Sequence, residues 1–349
     1  MKKYLLLITL IVLPLFGAGC IQFNNSSSGT DGGVFKSVDA GVNWKQKTLI
    51  PTVSGTPRSF SSANVLALAQ DPLDRLALYA GTRENGMLYT YDGGESWDQP
   101  KDANVSKGKV NAVAVDPQNK CNIYVALSNK LFKSSDCNRS FSEIYRDDTE
   151  ITSLVIKNSY PLKIYLGTTK GFVVKSQDAG RTWTPLKNFG GKIVDVVLRP
   201  ADDTVYVAVG RRSLWRSGDG GQNWTDLSAA FKKMSGSLDM TKLVLSPAAA
   251  NTLIMASKYG LLRTNDGGDT WEALKLLTPA GKFDIYSLAI DSKTSNQIYY
   301  STASMFYKTQ NGGEAWSAKK LPSSRAATAL LIDAADSNIV YMGVTKLDK

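Results

Sequence analysis

The stretch "SQDAGRTW" at Ser176–Trp183 is one of seven related stretches in this 349-residue chain. The other six begin at Ser37, Thr90, Ser134, Ser217, Thr264 and Thr309. Successive copies start 41 to 53 residues apart, a period typical of one four-stranded sheet per repeat. The repetition therefore predicts a β-propeller with one copy of the stretch in each blade.

An apolar strand accompanies the repeated stretch and sets the register of the repeats. These strands are VLALAQDP from Val65, VNAVAVDP from Val110, ITSLVIKN from Ile151, IVDVVLRP from Ile193, MTKLVLSP from Met240, IYSLAIDS from Ile285 and ATALLIDA from Ala327. The first copy has no strand pair before it, and the last pair, 327–332 and 339–343, has no copy after it. We predict an all-β fold: a single seven-bladed β-propeller of four-stranded antiparallel blades at 34–345, with one blade closed by strands from both termini.

The consensus S/T-x-D-x-G-x-T/S-W resembles the Asp box, or BNR repeat, of sialidases, sortilin-type receptors, some endoglucanases and photosystem II assembly factors. The resemblance covers nearly all of residues 34–344. It implies the propeller fold and leaves the function open, because these families differ in their chemistry.

The acidic position of the repeated stretch is interpreted as structural. Asp178 is expected to accept hydrogen bonds from its own turn, Gly180 to take a positive φ, and Trp183 to bury its ring. The same role is expected at Asp39, Asp92, Asp136, Asp219, Asp266 and Asn311. A calcium loop needs several carboxylates at alternating positions, so no metal site is predicted in these turns.

The copy at Ser134 departs most from the consensus. Asn138 stands where glycine is usual, and Phe141 stands where tryptophan is usual. Folding the hairpin about residues 128–129 brings Cys121 near Cys137, and we predict a disulfide that replaces the lost tryptophan anchor. Two buried free thiols are the alternative.

The first nineteen residues have the pattern of a secretory signal peptide. Two lysines precede an apolar run at 5–16, which is too short to span a membrane. The segment ending at Cys20 resembles a bacterial lipobox, although Gly17 replaces the usual leucine, and this implies an acylated Cys20. Residues 20–33 are then a lipidated cysteine and a flexible tether. A simple cleaved signal without lipidation is the alternative.

Charge is divided between the two rims of the predicted propeller. The turns between second and third strands carry Arg83, Lys130, Lys170, Arg211, Arg212, Lys258 and Tyr259, whereas the repeated stretches place acids on the other rim. The loops between blades add further cations and the aromatic residues Phe60, Tyr145, Phe189, Phe231 and Phe283. A basic rim with aromatic residues favours binding of an acidic protein surface or an anionic glycan. Alternatively, the aromatic residues anchor their own loops.

The net charge of the chain also favours an anionic partner. Without Lys2 and Lys3 the chain has 39 cationic and 31 acidic side chains, a net charge of +8. This excess favours anionic partners, or reflects solvated surface charge near an anionic membrane. An exported location makes nucleic acid an unexpected partner.

One position of the aligned inner strands carries opposite charges in neighbouring blades. Asp195 and Lys242 both occupy the third position of their strands. We predict an ion pair between them near the central channel, and favour a structural role over a catalytic one.

Catalysis is disfavoured because the chain contains no histidine. This excludes serine–histidine and cysteine–histidine triads and most zinc sites. A glycosidase needs only two carboxylates, for which Glu150, Asp195, Asp239 and Asp284 are candidates near the channel. Sialidases have an Arg-Ile-Pro signature that residues 56–59 do not reproduce. No catalytic residue and no cofactor are therefore predicted.

The chain is most similar overall to the photosystem II assembly-factor type, a single propeller that is sometimes lipid-anchored. This resemblance implies a non-catalytic, monomeric cell-envelope lipoprotein, on the periplasmic or extracellular face, that binds a protein partner and assists assembly of a membrane complex. A carbohydrate-binding or glycoside-hydrolase-like propeller is the alternative.

Overall fold

The computed structural model describes residues 31–158 and 162–348, and their regular structure is almost entirely β-strand. One short 3₁₀ helix occurs, at Ser228–Ala230. No helix within these ranges is long and apolar enough to cross a bilayer. The predicted signal peptide, Cys20 and most of the tether lie outside the described residues, and the first strand begins at Gly33.

The strands group into seven blades, numbered here in chain order from the sheet that starts at Val65. Blade 1 contains β5 (Val65–Gln70), β6 (Leu78–Thr82) and β7 (Met87–Thr90). Blade 2 contains β8 (Val110–Asp116), β9 (Asn119–Leu127), β10 (Lys130–Ser134) and β11 (Ser142–Arg146). Blade 3 contains β12 (Ile151–Lys157), β13 (Lys163–Thr168), β14 (Phe172–Ser176) and β15 (Thr184–Asn188). Blade 4 contains β16 (Ile193–Leu198), β17 (Val205–Val209), β18 (Ser213–Ser217) and β19 (Thr225–Asp226).

The remaining blades continue this order until the two ends of the chain meet. Blade 5 contains β20 (Met240–Leu245), β21 (Leu253–Ser257), β22 (Leu261–Thr264) and β23 (Glu272–Ala273). Blade 6 contains β24 (Ser287–Ile290), β25 (Ile298–Ser301), β26 (Met305–Thr309) and β27 (Ser317–Lys320). Blade 7 contains β28 (Ala326–Ile332), β29 (Val340–Thr345), β1 (Gly33–Ser37) and β2 (Lys45–Gln46). A separate hairpin, β3 (Leu49–Ile50) with β4 (Arg58–Ser59), lies between β2 of blade 7 and β5 of blade 1 in the chain.

The innermost strands contact one another in the order β5, β8, β12, β16, β20, β24 and β28, and β28 in turn contacts β5. This ring confirms the predicted all-β, seven-bladed fold with antiparallel blades. In blade 7, β1 pairs with β29 along its whole length, from Gly33 opposite Val344 to Ser37 opposite Val340. In blade 1 the fourth strand is reduced to one bridge between Tyr89 and Asp98.

The second strand of each blade has apolar residues on both faces, because neighbouring blades cover both sides of it. Strand β17, VYVAV, is buried at every position, as are β6, β21 and β25. The continuous apolar run is typical of a strand with two covered faces. The core is therefore a circle of clusters between blades.

The repeated stretch forms a turn held by its own side chains. Ser176 Oγ donates to Asp178 Oδ1 and accepts from Gly180 N, both at 2.8 Å. Thr182 donates to the same carboxylate through its N–H at 2.9 Å and its hydroxyl at 2.6 Å. Ala179 and Gly180 have φ of 59° and 90°, so two consecutive residues adopt the left-handed region. Equivalent hydroxyl-to-acceptor bonds occur in the other copies, Asn311 included.

The turn of blade 4 also packs against the preceding blade, and its close contact requires glycine at position 221. A Cβ on Gly221 would lie 2.4 Å from Leu186 of blade 3, and Gly221 has a φ of 100°. The indole N–H of Trp224 donates to Gly221 O at 3.0 Å, so the tryptophan closes the turn that it follows. Phe189 packs edge-on against the Trp224 ring, with centroids 5.0 Å apart. The turn is thus an anchor between blades as well as a corner of its own hairpin.

Cations on the third strands strengthen the same junction. Lys175 and Tyr165 of blade 3 both donate to the carbonyl of Gly220 in the turn of blade 4, at 3.1 and 3.3 Å. Burial lowers the pKa of Lys175, whose side chain also lies over the Tyr165 ring. The same bond to the next turn is made by Lys133, Arg216, Arg263 and Lys308. Part of the cationic excess therefore stabilises the ring, a role that the sequence analysis did not assign.

The divergent copy keeps its turn by other means. Asn138 has a φ of 69° and is buried, and its Nδ2 donates to the Tyr91 hydroxyl of blade 1 at 2.9 Å. Phe141 is buried between blades 1 and 2. Cys121 and Cys137 are bonded to each other, with Cα atoms 4.0 Å apart. The turn is thus fixed to its own second strand by the sulfur atoms.

Gly221→Ala tests the requirement for glycine at the blade junction. Alanine must hold a φ of 100° and displace Leu186, so the free energy of unfolding should fall by about 1–3 kcal/mol. Gly218→Ala, in the same turn, is the matched control, because nothing lies within 4 Å of its added Cβ. Urea unfolding followed by circular dichroism measures both. Equal stabilities of the two variants would contradict the junction.

Replacing Cys121 and Cys137 together with serine tests the contribution of the disulfide. Closing a loop of this length contributes about 3 kcal/mol through the entropy of the unfolded chain, so the double variant should lose a similar amount of stability. Reduced unsubstituted protein should behave like the double variant. Alkylation of both thiols in protein that is unfolded without reductant would show that the bond does not form.

Candidate functional site

The carboxylates of the repeated turns are committed to their own turns. The Thr182 hydroxyl and backbone N–H lower the pKa of Asp178 to about 2, and Ser140 does the same for Asp136. Both carboxylates are therefore in the charged form, and the donors that lower their pKa belong to their own turns. These turns occupy one rim and are poor candidates for acid–base chemistry or ligand binding.

The opposite rim contains a wide cavity at the mouth of the central channel. Its volume is about 850 Å³. It is lined by Leu66, Arg83, Lys109, Asn111, Glu150, Thr152, Lys192, Val194, Gly210, Arg211, Asp239, Met240, Thr241 and Asp348. These residues come from blades 1 to 5 and the C-terminal segment, so the cavity is assembled only when the ring is complete.

The mouth carries both signs of charge, in contrast to the basic rim indicated by the sequence. Lys109 lies 2.7 Å from Glu150 of the next blade. Arg83 lies 2.8 Å from Asp348, and Arg211 lies 3.2 Å from Asp239. Arg83 and Asp348 are 265 residues apart, and the other two pairs join neighbouring blades, so the neutralising acids could not be assigned from the turns alone.

A smaller cavity adjoins the first and shares Arg211, Asp239 and Thr241 with it. Here Lys258 pairs with Asp284 at 2.7 Å. Lys192 also lines the main cavity, and among the described residues it has no ion-pair partner. The rim therefore offers free cationic groups beside neutralised ones.

Other predicted rim residues lie outside these two cavities. Lys130 pairs with Glu143 at 3.4 Å, and Lys170 and Arg212 are exposed. Tyr259 is partly buried and packs against the core between blades 4 and 5. Its ring thus supports the loop and does not project from the rim.

Most of the loop aromatic residues are anchors. Phe60, Phe189 and Phe231 are buried, and Phe60 and Phe231 pack edge-on against Trp97 and Trp271. Tyr145, another of the loop aromatic residues, packs against Trp183 with ring centroids 4.9 Å apart. Phe283 alone among the five predicted aromatic residues is an exposed large side chain.

The predicted opposite charges meet inside the channel. Lys242 Nζ lies 3.0 Å from Asp195 Oδ1, and the backbone N–H of Leu243 donates to Asp195 Oδ2 at 2.9 Å. The Asp195 side chain is 14% exposed and the Lys242 side chain 42%. Both of the Asp195 oxygens are thus engaged in a link between blades 4 and 5, which leaves this carboxylate poorly placed to attack a substrate.

All four candidate glycosidase carboxylates have a cationic neighbour: Lys109 for Glu150, Lys242 for Asp195, Arg211 for Asp239 and Lys258 for Asp284. Glu150 and Asp239 nevertheless line the same cavity. In the part of the chain that the structure describes, no cluster of histidine, cysteine, aspartate and glutamate is placed to hold a metal ion.

Several lining residues were not identified from the sequence. Asn111, Thr152 and Thr241 occupy the second position of their inner strands, where a register shift in the pairing with the second strand leaves one residue unpaired. Asn111 Nδ2 donates to Ile151 O at 2.9 Å, and Thr152 Oγ1 donates to Ile193 O at 2.7 Å. A polar second position in an otherwise apolar strand was the available signal.

Comparison with known proteins supports the fold. No protein-family model matches the sequence, and no curated protein matches it significantly. Among solved structures, a GH74 enzyme of Niastella koreensis matches 86% of the chain with a TM-score of 0.68 and 19% identity. The chain spans 53% of the length of that enzyme, about half.

Two structures of YCF48 are similar in length as well as in fold. YCF48 bound to a D1 peptide matches 85% of the chain, covers 96% of its own length and has a TM-score of 0.63 at 16% identity. YCF48 from Cyanidioschyzon merolae matches 85% of the chain and 98% of its own length, with a TM-score of 0.63 at 13% identity. At these identities the likeness establishes a shared seven-bladed propeller and does not assign an activity.

A double-mutant cycle tests the link between Asp195 and Lys242. Asp195→Asn and Lys242→Met should show a coupling in unfolding free energy of about 1 kcal/mol, because Asp195 is largely shielded from water. The matched control is the exposed pair Lys258 and Asp284, for which no measurable coupling is expected. Equal coupling in both cycles would show that the channel pair contributes no more than a surface contact.

Proposed function

We propose that this protein is a non-catalytic lipoprotein of the bacterial cell envelope that binds a protein segment at the mouth of its central channel. The observation that carries the proposal is the cavity of about 850 Å³, lined by charged and polar groups of both signs. Paired and unpaired charges at one mouth suit a polypeptide segment, whose side chains and backbone present donors and acceptors together.

The comparisons support this choice over catalysis. The YCF48 structures correspond to the chain over nearly their whole length, and one of them holds a peptide. The GH74 enzyme is about twice as long as the matched region, so its activity does not carry over to this chain from the match alone. We therefore infer binding of a protein partner, with assistance in assembling a membrane complex as the cellular role.

The Asp-box character of the repeated turn and the lipid anchor belong to the same proposal. The hydroxyl and carboxylate pattern of the turns supports assignment to the Asp-box group. The basic start, apolar run and Cys20 support export and acylation at the envelope, on its periplasmic or extracellular face. We infer a monomer that needs neither cofactor nor metal.

Recovery of partners from detergent-solubilised membranes tests the proposal. A variant with Lys192→Glu and Arg211→Glu should recover at least about tenfold less of the partner, because two cavity cations become repulsive toward an acidic segment. A control variant carries Arg139→Glu and Arg181→Glu, both exposed on the rim of the repeated turns. Quantitative mass spectrometry compares the three proteins. Equal recovery by both variants would contradict binding at the channel mouth.

Carbohydrate binding or hydrolysis is the second candidate, favoured by the presence of Glu150 and Asp239 in one cavity. The same purified proteins therefore enter a glycan array and a hydrolysis assay on each glycan that binds. Hydrolysis that is lost in Glu150→Gln would replace the first proposal with this one.

A further inference from the structure

One loop on the channel-mouth rim exposes large apolar side chains. In the loop at 274–284, Leu277 is 57% exposed and Phe283 is 55% exposed. The comparable loop aromatic residues Phe60, Phe189 and Phe231 are buried against a tryptophan or a core cluster, so Phe283 departs from the rule of this fold. Leu277 and Phe283 lie outside the two cavities of the channel mouth.

Exposed lysine side chains lie in the same loop and in the neighbouring loop. Lys275 and Lys282 flank the apolar residues in the same loop, and Lys232 and Lys233 lie in the loop at 228–239. All four are exposed, and among the residues that the structure describes they form no ion pair. The acids at the bases of the two loops, Asp239 and Asp284, are already paired with Arg211 and Lys258. The four lysine charges are therefore not compensated locally.

Backbone hydrogen bonds hold the two loops side by side. The N–H of Lys258 donates to Asp239 O at 3.0 Å, and the N–H of Gly281 donates to Tyr259 O at 3.2 Å. The turn at 258–259 thus bridges the loop at 228–239 and the loop at 274–284. We name the surface formed by Lys232, Lys233, Lys275, Leu277, Lys282 and Phe283 the loop patch.

The N-terminal segment enters the propeller on this same rim. Gly32 N donates to Ser61 O at 2.7 Å, and Ser323 Oγ donates to Asp31 O at 2.7 Å. Ser61 and Ser323 belong to loops between blades, as the loop patch does. Cys20 precedes Asp31 by eleven residues, which span at most about 40 Å when extended. This step rests on the acylation of Cys20 proposed above: an acyl chain there would favour approach of this rim to the bilayer over approach of the rim of the repeated turns.

We propose that the loop patch docks on the surface of an anionic phospholipid bilayer. Leu277 and Phe283 enter the interfacial layer, and the four lysines bind the headgroup phosphates. A bilayer fits better than a protein groove, because exposed apolar side chains share these loops with unpaired lysines and the N-terminal segment enters the propeller on the same rim. Docking directs the channel mouth toward the membrane, where a segment of a membrane-embedded partner is within reach. The docking itself does not depend on that partner.

Fluorescence of the intact lipoprotein on vesicles tests this orientation. Phe283→Cys is labelled with the environment-sensitive dye NBD, and Val38→Cys on the opposite rim, 67% exposed, is the matched site. Unsubstituted protein taken through the same labelling corrects for any reaction at Cys20. On phosphatidylcholine vesicles that contain phosphatidylglycerol, emission at 283 should shift to shorter wavelength and rise at least about twofold, with no change at 38. Equal responses at both sites would overturn the proposal.

A charge-reversal variant separates docking from anchoring and from partner binding. Lys232→Glu, Lys275→Glu and Lys282→Glu together should abolish the response at 283 and the salt-sensitive part of vesicle sedimentation. The control carries Lys45→Glu, Arg139→Glu and Arg181→Glu, which change the net charge equally near the repeated turns. Identical behaviour of the two variants, or equal responses on phosphatidylcholine alone, would overturn docking. Equal partner recovery by the Lys192→Glu, Arg211→Glu variant and its control, with an intact response at 283, would contradict the partner proposal and leave docking in place.

Discussion

The bond from the turn hydroxyl to an aspartate oxygen, or to the Asn311 amide oxygen in one copy, is the interaction on which the ring depends. It allows two consecutive residues, such as Ala179 and Gly180, to remain in the left-handed region, which an unsupported turn would leave. In that conformation the carbonyl of the first residue faces the preceding blade, where a tyrosine and a cation bind it. Local turn geometry and contact between blades are therefore set by the same few atoms.

This coupling explains why the fold could be predicted and the rim could not. The turn, its glycine and its tryptophan lie within eight residues, so their relation is visible in each of the six copies other than the one at Ser134 and is strengthened by repetition. Arg83 and Asp348 lie 265 residues apart and meet only because blade 7 combines both ends of the chain. No local pattern could show that Asp348 neutralises Arg83.

The charge excess was misleading for a related reason. The cation that precedes the hydroxyl residue of the repeated stretch, Lys175 for example, reads as a surface charge on an alternating strand. In the ring it is covered by the next blade and bound to a carbonyl. An aligned column of lysine and arginine beside the hydroxyl position was visible in the sequence, but its meaning depends on the neighbouring blade. Net charge therefore overstated the positive surface available to a partner.

The two rims differ in how far their polar groups are already engaged in structural hydrogen bonds. On the rim of the repeated turns, hydroxyls, carboxylates and backbone groups satisfy one another within each turn, and the same solution is used in every blade. On the channel-mouth rim the blades differ: Lys109, Glu150, Lys192 and Asp239 occupy the same position before successive inner strands. Such variation does not serve the ring, which tolerates either charge at that position. Residues without a structural role can change to suit a binding partner. The channel mouth carries such residues with charges of both signs, and this favours it as the functional face.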